Sequence, residues 1–259
     1  MLLTLIEKIA AGYFACVPRR KPQAKDVDKA CVIAHRGVHD NAHGIFENTL
    51  AAFRLAQEVG CWGIEFDVRA TADGILVVNH DDTLNRLWGY HVAIANLSFS
   101  ELRSLEPRIP SLAEVVAEHS ANMHLFIELK APFQDEETLV QILQGLSPGK
   151  DYHVLALDSS IFSFLSLIPK HVLLLVAVHN NVKKFCNLSL NEHYGGVLGN
   201  YLLLTNKHIK KLKEASQVAG VGFVSSKYSV YRELNRGIPW LFTNCSEDVS
   251  GYLRQLRKV

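Results

Sequence analysis

Short apolar runs alternate with amphipathic stretches along the chain from residue 31 onward. Such runs are typical of strands that are buried in a parallel sheet. They predict strands at residues 31–35, 63–69, 124–130, 152–157, 171–178, 195–199, 221–225 and 238–243. The amphipathic stretches predict helices at residues 49–59, 112–119, 136–143, 161–167, 182–188, 207–218, 230–236 and 249–256. This alternation favours a parallel α/β sheet with helical crossovers.

Eight strand and helix units in succession favour closure of the sheet into a TIM (β/α)8 barrel. A barrel of this kind takes about 250 residues, and the chain has 259. No Pro-rich or Ser-rich linker divides residues 30–259, so we expect a single barrel domain there.

One connection departs from the alternation. After the second predicted strand, Asp73 and Gly74 separate two apolar runs, and this dipeptide is a signal for a hairpin. The second run, residues 75–79, would lead the chain back and place His80 at the mouth of the barrel. Residues 81–99 are predicted to be a loop whose side chains could cover that mouth, among them Trp88, Tyr90 and His91.

Residues 1–21 are predicted to form an apolar helix followed by a basic segment. With Glu7 and Lys8 in its middle, the helix is too short and too charged to span a bilayer, which takes about 20 apolar residues. No positive charge precedes the apolar run, as it would in a secretory signal. Two interpretations stay open: a helix that caps the fold, or an interfacial helix held on an anionic membrane by residues 19–21. Its apolar stripe consists of Leu2, Leu5, Ile6, Ile9, Tyr13 and Val17.

Composition and charge exclude some classes of partner and site. The chain has 27 basic and 26 acidic residues, which excludes nucleic acid as a dominant partner because such binding relies on excess basic charge. The five cysteines are odd in number and contain no C-x-x-C pair, so they indicate neither a disulfide framework nor a zinc site. They suit a reducing compartment, and we expect a cytoplasmic protein that is peripheral at most.

Carboxylates occur at the ends of two predicted strands. Glu65 and Asp67 alternate with apolar residues and therefore share one face of a strand, as Glu128 and Lys130 do on the next one. Three acids at the mouth of a barrel repel one another unless a cation separates them. Carboxylate oxygens without thiolates favour Mg²⁺, Ca²⁺ or Mn²⁺. The alternative, in which each acid pairs with a local Arg or Lys, explains a single acid better than this cluster.

Two histidines and two cations complete the candidate chemistry. His35 and His80 can transfer protons in either direction near neutral pH, whereas Arg36 and Lys130 suit phosphate oxygens. Together with a metal, these residue types indicate attack on phosphorus. We expect Glu47 to lie outside the direct metal ligands, because the following Asn48 is predicted to be a helix N-cap.

These residues, in this order and spacing, resemble the glycerophosphodiester phosphodiesterase (GDPD) family. The resemblance is dense from residue 32 to residue 130 and thins afterwards. It is carried by His35-Arg36-Gly37, Glu47-Asn48-Thr49, Glu65-Phe66-Asp67-Val68, Asp73-Gly74, His80-Asp81, Ile109-Pro110-Ser111-Leu112 and Glu128-Leu129-Lys130.

The resemblance implies a TIM barrel of the PLC-like phosphodiesterase type and the hydrolysis of glycerophosphodiesters to an alcohol and sn-glycerol 3-phosphate. One divalent cation, Mg²⁺ or Ca²⁺ (or Mn²⁺), would assist the reaction. In the implied route one histidine deprotonates the glycerol 2-hydroxyl, which attacks phosphorus, the other protonates the leaving alcohol, and water opens the cyclic phosphate. The implied roles are acid and base for His35 and His80, metal ligands for Glu65, Asp67 and Glu128, and phosphate contacts for Arg36 and Lys130.

The chain departs from the family pattern at three places. Phe46 stands where the family usually has Pro, residues 223–226 replace a Trp-Thr-Val-Asn run, and residues 243–246 replace Thr-Asp-x-Pro. These changes concern substrate preference more than chemistry. Three alternatives stay open: a lysophospholipase D acting at a membrane surface, a more remote Mg²⁺-dependent TIM-barrel lyase or aldolase, and a non-catalytic binding protein.

Overall fold

The computed structural model describes residues 2–258, and the side chains of residues 8–178 and 180–258. Eight parallel strands close into a barrel, as predicted, and a ninth strand pairs with the second. Closure occurs where the first strand pairs in parallel with both the second and the last. The strands are β1 (Cys31–His35), β2 (Gly63–Ala70), β3 (Leu76–Val78), β4 (His124–Leu129), β5 (Tyr152–Ala156), β6 (Leu173–Ala177), β7 (Gly196–Asn200), β8 (Val218–Gly222) and β9 (Trp240–Thr243).

Helices surround the barrel and bury its outer face. The apolar side chains between helices and strands form one continuous core, to which nearly every strand contributes. The α-helices are α1 (Leu2–Cys16), α2 (Ala24–Asp28), α3 (Leu50–Val59), α4 (Asn85–Trp88), α5 (Phe99–Leu105), α6 (Leu112–His119), α7 (Glu136–Ile142), α8 (Val182–Glu192), α9 (Asn206–Glu214), α10 (Lys227–Asn235) and α11 (Ser246–Arg257).

Three predicted elements are wrong in position or type. The run at residues 221–225 predicts a strand, but β8 begins three residues earlier, at Val218. It contains Gly220, where a Cβ atom would lie 2.7 Å from Leu198 Cδ2, so close packing weakens the apolar signal. The helix predicted at residues 161–167 is only a 3₁₀ turn, Ile161–Ser163. The loop predicted at residues 81–99 contains α4 and leads into α5, which Ser98 and Glu101 begin with a capping box.

The interior of the barrel is filled by a separate apolar layer. Its buried members are Ile33, Phe126, Leu155, Leu174, Leu198 and Phe242. At the end where the strands begin, Trp62, His124, His153 and Trp240 pack around Phe126 and close the barrel. Among the described residues, the interior therefore opens toward the carboxyl ends of the strands, where a TIM barrel carries its active site.

The predicted hairpin is present. Strand β3 runs antiparallel to β2, with Val68 opposite Val78, and its return brings His80 beside the carboxyl end of β2. The Asn79 N–H donates to the Asp67 carbonyl at 3.0 Å, which fixes the end of the hairpin to the barrel mouth.

Helix α1 packs against α10 on the outside of the barrel. The Phe14 ring contacts the Tyr201 ring at 5.9 Å, and the Arg232 guanidinium lies 4.8 Å from the Phe14 centroid. Ile9 and Tyr13 are 64% and 60% exposed. The side chains of the other predicted stripe members Leu2, Leu5 and Ile6 lie outside the described residues. No helix in the described part of the chain has the length and apolarity needed to cross a membrane.

Candidate active site

A cavity of about 370 Å³ lies at the carboxyl end of the barrel. The residues that line it are charged or polar on one side and apolar on the other. Residues from β1, β2 and β4 and from the hairpin provide charged and polar groups, namely His35, Arg36, Glu65, His80, Glu128 and Lys130. Residues at the ends of the later strands provide an apolar wall, which consists of Leu155, Leu157, Val176, Val178, Leu198, Phe223 and Phe242.

The three predicted acids meet at this cavity, which Glu65 and Glu128 line and beside which Asp67 is buried. Glu65 and Asp67 share the inner face of β2, and the strand register places Asp67 opposite Glu128 of β4. One carboxylate oxygen from each residue lies within 4.8 Å of the others, and all three side chains are buried. The alternation of acids with buried Phe66, Ile127 and Leu129 produces this arrangement, because the apolar side chains pack against the helices.

The three carboxylates are buried close to one another, and their pKa values reflect this burial and the neighbouring charges. Burial and the neighbouring carboxylates of Asp67 and Glu128 raise the pKa of Glu65 well above its ordinary value, and burial and Asp67 raise the pKa of Glu128 to about 7. Burial would also raise the pKa of Asp67, but Lys130 and Arg36 outweigh it and lower this pKa to about 2. Glu65 Oε1 is buried without a hydrogen-bond donor. An all-oxygen set with an unpartnered carboxylate oxygen fits a hard divalent cation.

Arg36 and Lys130 lie beside the acids, as the sequence predicts. Arg36 Nε is 3.2 Å from Asp67 Oδ2, and its Nη1 donates to Glu47 Oε1 at 3.0 Å. Lys130 Nζ is 2.7 Å from Asp67 Oδ1 and also contacts the Glu128 carboxylate. Each of these two basic side chains is thus held by two carboxylates at the polar side of the cavity.

His35 lies at the end of β1 between two partners. Its Nδ1 is 2.7 Å from Asn244 Oδ1, and its Nε2 is 3.7 Å from Glu65 Oε2. Burial and the charge of Arg36 lower its pKa to about 4, so the imidazole is neutral at pH 7. Because the Asn244 oxygen can only accept, Nδ1 donates and Nε2 keeps its lone pair. The ring of Phe223 packs against His35 at 4.5 Å.

His80 faces the cavity from the hairpin and pairs with a carboxylate instead. Its Nδ1 donates to Asp81 Oδ1 at 2.7 Å. Burial and the charges of Lys130 and Arg36 lower the pKa of His80, while the charge of Asp67 and the hydrogen bond to Asp81 oppose that shift. Asp81 Oδ2 accepts from Arg86, whose Nη2 also donates to Glu47 Oε1 at 2.7 Å.

Glu47 lies outside the acidic cluster, as expected. It accepts from Arg36, Arg86 and Asn41, and the two guanidinium groups overcome its burial and lower its pKa to about 2. It therefore links the Arg36 side of the cavity to the Asp81 side.

The prediction that Asn48 is a helix N-cap is wrong. Thr49 caps α3 and accepts from the Ala52 N–H, whereas Asn48 has a left-handed backbone with φ of 59°. Its Nδ2 donates to Asp67 Oδ2 at 2.8 Å, and its Oδ1 accepts from the Asp67 N–H at 3.3 Å. Asn48 thus orients one of the three acids.

The sequence analysis does not predict the role of some contributors, since Phe223 and Asn244 enter it only as departures from the family pattern, and other expectations differ from the structure. Asn244 and Phe223 lie far along the chain from His35, and Arg86 lies in a predicted loop without a motif. The cavity as described is not lined by the predicted loop residues Trp88, Tyr90 and His91. Trp88 packs on Phe46 and donates from Nε1 to Asn79 Oδ1 at 3.1 Å. It supports the end of the hairpin instead of covering the mouth.

Comparison with protein families agrees with this site. Residues 35–148 match the sequence model of the glycerophosphoryl diester phosphodiesterase family. The chain is 37% identical over 133 residues to glycerophosphodiester phosphodiesterase 1 of Bos taurus, which covers 45% of this chain and 39% of that protein. It is 37% identical over 114 residues to a glycerophosphodiester phosphodiesterase of Caldanaerobacter subterraneus, which covers 44% of each. These matches therefore span less than half of the relatives' length, and they confirm the family resemblance.

Solved structures share the complete barrel. The glycerophosphodiester phosphodiesterase of Thermotoga maritima matches with a TM-score of 0.71 and 26% identity, over 84% of this chain and 96% of that one. A phosphodiesterase of Oleispira antarctica, solved in complex with its product sn-glycerol-3-phosphate, matches with a TM-score of 0.72 and 22% identity, over 86% and 96%. The TIM barrel is thereby confirmed.

Proposed function

We propose that this chain, whose residues 35–148 match the sequence model of the glycerophosphoryl diester phosphodiesterase family, hydrolyses glycerophosphodiesters to an alcohol and sn-glycerol 3-phosphate. One observation carries the proposal: two histidines and two basic side chains line one cavity at the barrel mouth, beside a cluster of three buried carboxylates. Enolate chemistry in TIM-barrel lyases has no need of two histidines beside an Arg, so this grouping favours phosphoryl chemistry over the lyase alternative.

Glu65, Asp67 and Glu128 would hold one divalent cation, which we propose to be Mg²⁺ or Ca²⁺. When bound, the cation would neutralise charge on the non-bridging phosphate oxygens and polarise phosphorus. Arg36 and Lys130 would contact the same phosphate group from the polar side of the cavity.

The hydrogen-bond partners of the histidines suggest which one is the base. The partner of His35 is the Asn244 amide, which orients a neutral ring with its Nε2 lone pair free. The partner of His80 is the Asp81 carboxylate, which stabilises an imidazolium. We assign the base to His35 and the acid to His80.

The reaction then proceeds in two steps. His35 Nε2 takes the proton of the glycerol 2-hydroxyl, whose oxygen attacks phosphorus as the bond from phosphorus to the alcohol oxygen breaks. His80 gives its proton to that oxygen, and the alcohol leaves. In the second step His80 takes a proton from water, water oxygen attacks phosphorus, the cyclic ester bond breaks, and His35 returns its proton to the glycerol oxygen.

Replacing each histidine tests both the reaction and the assignment. We expect His35→Ala and His80→Ala each to lower kcat for glycerophosphocholine by at least about 10²-fold, the usual scale for loss of a proton-transfer group. With a glycerol p-nitrophenyl phosphodiester, whose leaving group needs no proton, His80→Ala should recover most of the rate and His35→Ala should not.

The outcomes separate the claims. Recovery by His35→Ala alone would reverse the assignment of acid and base but retain the reaction. Full activity of both variants, or the absence of glycerol 3-phosphate and cyclic phosphate from the unmodified protein, would contradict the proposed function. His208→Ala, which changes a histidine on α9 away from the cavity, serves as the control.

Metal binding is tested without reference to turnover. We expect calorimetry of the protein with Mn²⁺ or Ca²⁺ to reveal one site, and the double variant Glu65→Gln/Asp67→Asn to lose it. The isosteric amides also remove like-charge repulsion, so this variant should fold. Unchanged affinity in the double variant would contradict the ligand assignment.

A lysophospholipase D activity is a second candidate, and the apolar wall favours it. Leu157, Val178 and Phe223 are 39%, 39% and 44% exposed, so the wall extends to the rim of the cavity. A small polar alcohol does not need such a surface, whereas an acyl chain on the glycerol would bury against it.

A polar substitution at the rim tests this candidate. We expect Val178→Gln to lower kcat/KM for lysophosphatidylcholine by about tenfold through lost apolar burial, while turnover of glycerophosphocholine changes little. Ile75→Gln, on an equally exposed residue in the turn of the hairpin, is the matched control. Equal effects on both substrates would favour the water-soluble diesters.

Three further expectations are part of the proposal. A division into residues 1–21 and a barrel domain at residues 30–259 is supported by the position of α1 outside the barrel. Peripheral contact of residues 1–21 with a membrane is supported by the exposure of Ile9 and Tyr13. A cytoplasmic location rests on the use of cysteine in the sequence alone.

A further inference from the structure

A second cleft lies on the outside of the barrel, where the segment after α1 crosses α10. It has a volume of about 510 Å³ and is lined by Arg19, Arg20, Asn206, Arg232, Asn235 and Arg236. None of these residues lines the mouth cavity. We propose that this arginine cleft binds the phosphate group of an anionic phospholipid and so holds the protein on a membrane surface.

The charge of the cleft is unbalanced. Arg232 and Arg236 both pair with Glu233, whose carboxylate is completely buried beneath them. Arg19 and Arg20 form no salt bridge with any side chain in the described part of the molecule. Four guanidinium groups therefore share one carboxylate, and a net positive charge is left for an anion.

Hydrogen bonds preorganise the cleft from two separate segments. Asn235 Nδ2 donates to the Arg20 carbonyl at 2.7 Å and holds the segment after α1 onto α10. Arg236 Nε donates to Asn206 Oδ1 at 2.7 Å, and Arg232 Nη1 donates to the Tyr201 carbonyl at 2.8 Å. The positions of these two guanidinium groups are thus fixed before a ligand arrives, which lowers the entropic cost of binding.

Arg19 has a buried donor without an acceptor. Its guanidinium lies 5.2 Å from the centroid of the Phe14 ring, and its Nε is buried with no hydrogen-bond partner. A planar guanidinium presents paired N–H groups that match two oxygens of a phosphate. An anion in the cleft would compensate a positive charge that the described side chains leave unpaired.

The apolar surroundings favour a lipid over free phosphate. Ile9 and Tyr13 on α1 are exposed to solvent, although the adjacent Phe14 is fixed against Tyr201. Leu203 is 37% exposed. It lies in the loop whose Tyr201 and Leu204 carbonyls accept hydrogen bonds from Arg232 and Arg236. Exposed apolar side chains beside a basic cleft are typical of a surface that inserts at the boundary between headgroups and acyl chains.

Vesicle binding tests the proposal. The full chain is sedimented with vesicles of phosphatidylcholine that contain one fifth phosphatidic acid, and with vesicles of phosphatidylcholine alone. Each basic side chain near an anionic surface contributes about 1 kcal/mol, so we expect Arg19→Gln/Arg20→Gln to weaken binding to the acidic vesicles by about 30-fold. Lys183→Gln/Lys184→Gln on α8 removes the same charge elsewhere and should weaken it far less.

A second variant distinguishes binding of a lipid from binding of a phosphate group alone. Ile9→Ser/Tyr13→Ser changes only exposed side chains, and we expect it to weaken vesicle binding without affecting the affinity for inorganic phosphate. Equal losses in the arginine and lysine variants would overturn the proposal, because binding would then follow net charge. Tight binding of inorganic phosphate that needs Arg19 and Arg20, without vesicle binding, would assign the cleft to a free phosphate and overturn the lipid.

The outcome is independent of the proposed reaction. Urea unfolding midpoints equal to that of the unmodified protein show that the variants fold, and hydrolysis of glycerophosphocholine in solution should be unchanged, since none of the substituted side chains lines the mouth cavity. Loss of vesicle binding by a variant that folds therefore supports the arginine cleft. Vesicle binding that survives in both the arginine and the α1 variants contradicts it.

Discussion

Asn48 combines a backbone conformation and a side-chain role that reinforce each other. Its left-handed backbone, with φ of 59°, turns the side chain toward Asp67, and both amide atoms are used there. Asn tolerates this conformation better than most residues. A residue next to the strand of acids thus sets the orientation of one of them before any cation is bound.

Replacing Asn48 separates these two effects. We expect Asn48→Gly and Asn48→Ala to weaken Mn²⁺ binding by about 10- to 100-fold, the usual cost of losing a hydrogen bond to a metal ligand. Only Asn48→Ala should also lower the free energy of unfolding further, by about 1 kcal/mol, because alanine is strained at positive φ. Calorimetry and urea unfolding measure both. Unchanged Mn²⁺ affinity in the glycine variant would contradict an orienting role.

At the scale of residues, the sequence predicts the charged groups of the site better than their partners. Glu65, Asp67 and Glu128 could be predicted because alternation on a strand fixes which side chains share a face. The contact of His35 with Asn244 could not, since the two residues are 209 positions apart and meet only when β1 closes against β9. Asn48 was misassigned because Asn precedes helices often, and only the backbone angle reveals its other use.

At the scale of elements, the hairpin of β2 and β3 carries the proposed acid. His80 follows β3, and its partner Asp81 is held by Arg86 of α4, which also binds Glu47 near β1. A short helix in a long connection therefore joins the hairpin to the opposite side of the cavity. The position of the proposed acid depends on this link and on the barrel strand β2.

Breaking the link should slow the reaction without removing any group that touches the substrate. A hydrogen bond to a charged group is worth about 1.5 kcal/mol, so we expect Arg86→Ala to lower kcat about tenfold with little change in KM. Arg86→Lys should recover part of this loss. Arg54→Ala removes an exposed ion pair with Glu118 on the far helices and is the control. A change confined to KM would argue against a positioning role.

The elements that the sequence predicts well are those with strong periodicity. Helix α6 has the predicted bounds, Leu112–His119, because Ser111 and Glu114 form a capping box before an apolar stripe. Strand β8 is displaced from its predicted position, since its small residues are selected by contacts with β7 and β9 that local sequence does not record. The 3₁₀ turn at Ile161–Ser163 has the apolar content of a helix, but the backbone N–H groups of residues 166–168 donate to the Glu136 carboxylate and not to helical carbonyls.

At the scale of the whole molecule, the two ends of the barrel have opposite character. The mouth is charged, whereas the closed end contains two neutral histidines among tryptophans. His124 Nδ1 donates to the Lys150 carbonyl at 2.9 Å, and its Nε2 accepts from His153 Nδ1 at 2.8 Å. Burial lowers the pKa of His124 to about 4 and that of His153 to about 3. A proton added to His124 Nε2 would face the Nδ1–H of His153, which opposes protonation of His124.

This pair should make the fold sensitive to acid. Because the folded pKa values lie below the ordinary value of 6.5, the stabilisation is complete above pH 6.5 and is lost as the pH falls toward 4, where the unfolded chain takes up protons first. One pKa unit corresponds to about 1.4 kcal/mol, so a fall from pH 6.5 to pH 4 should lower the free energy of unfolding by about 3 kcal/mol for each histidine. The double variant His124→Leu/His153→Leu should depend less on pH in urea unfolding between pH 7 and 4. Parallel curves for the two proteins would contradict this assignment.

The polar half of the mouth cavity and its apolar wall come from separate parts of the sequence, and this separation has a consequence for specificity. Every proposed proton donor, acceptor and metal ligand lies within residues 35–148, which the family model matches, whereas the apolar wall comes entirely from residues beyond it. Under the proposed function, the groups that break the bond thus precede, along the chain, the surface that would select the alcohol or acyl chain. Exchanging residues 155–242 for those of a relative, with Asn244 retained beside His35, should change this preference and keep the reaction.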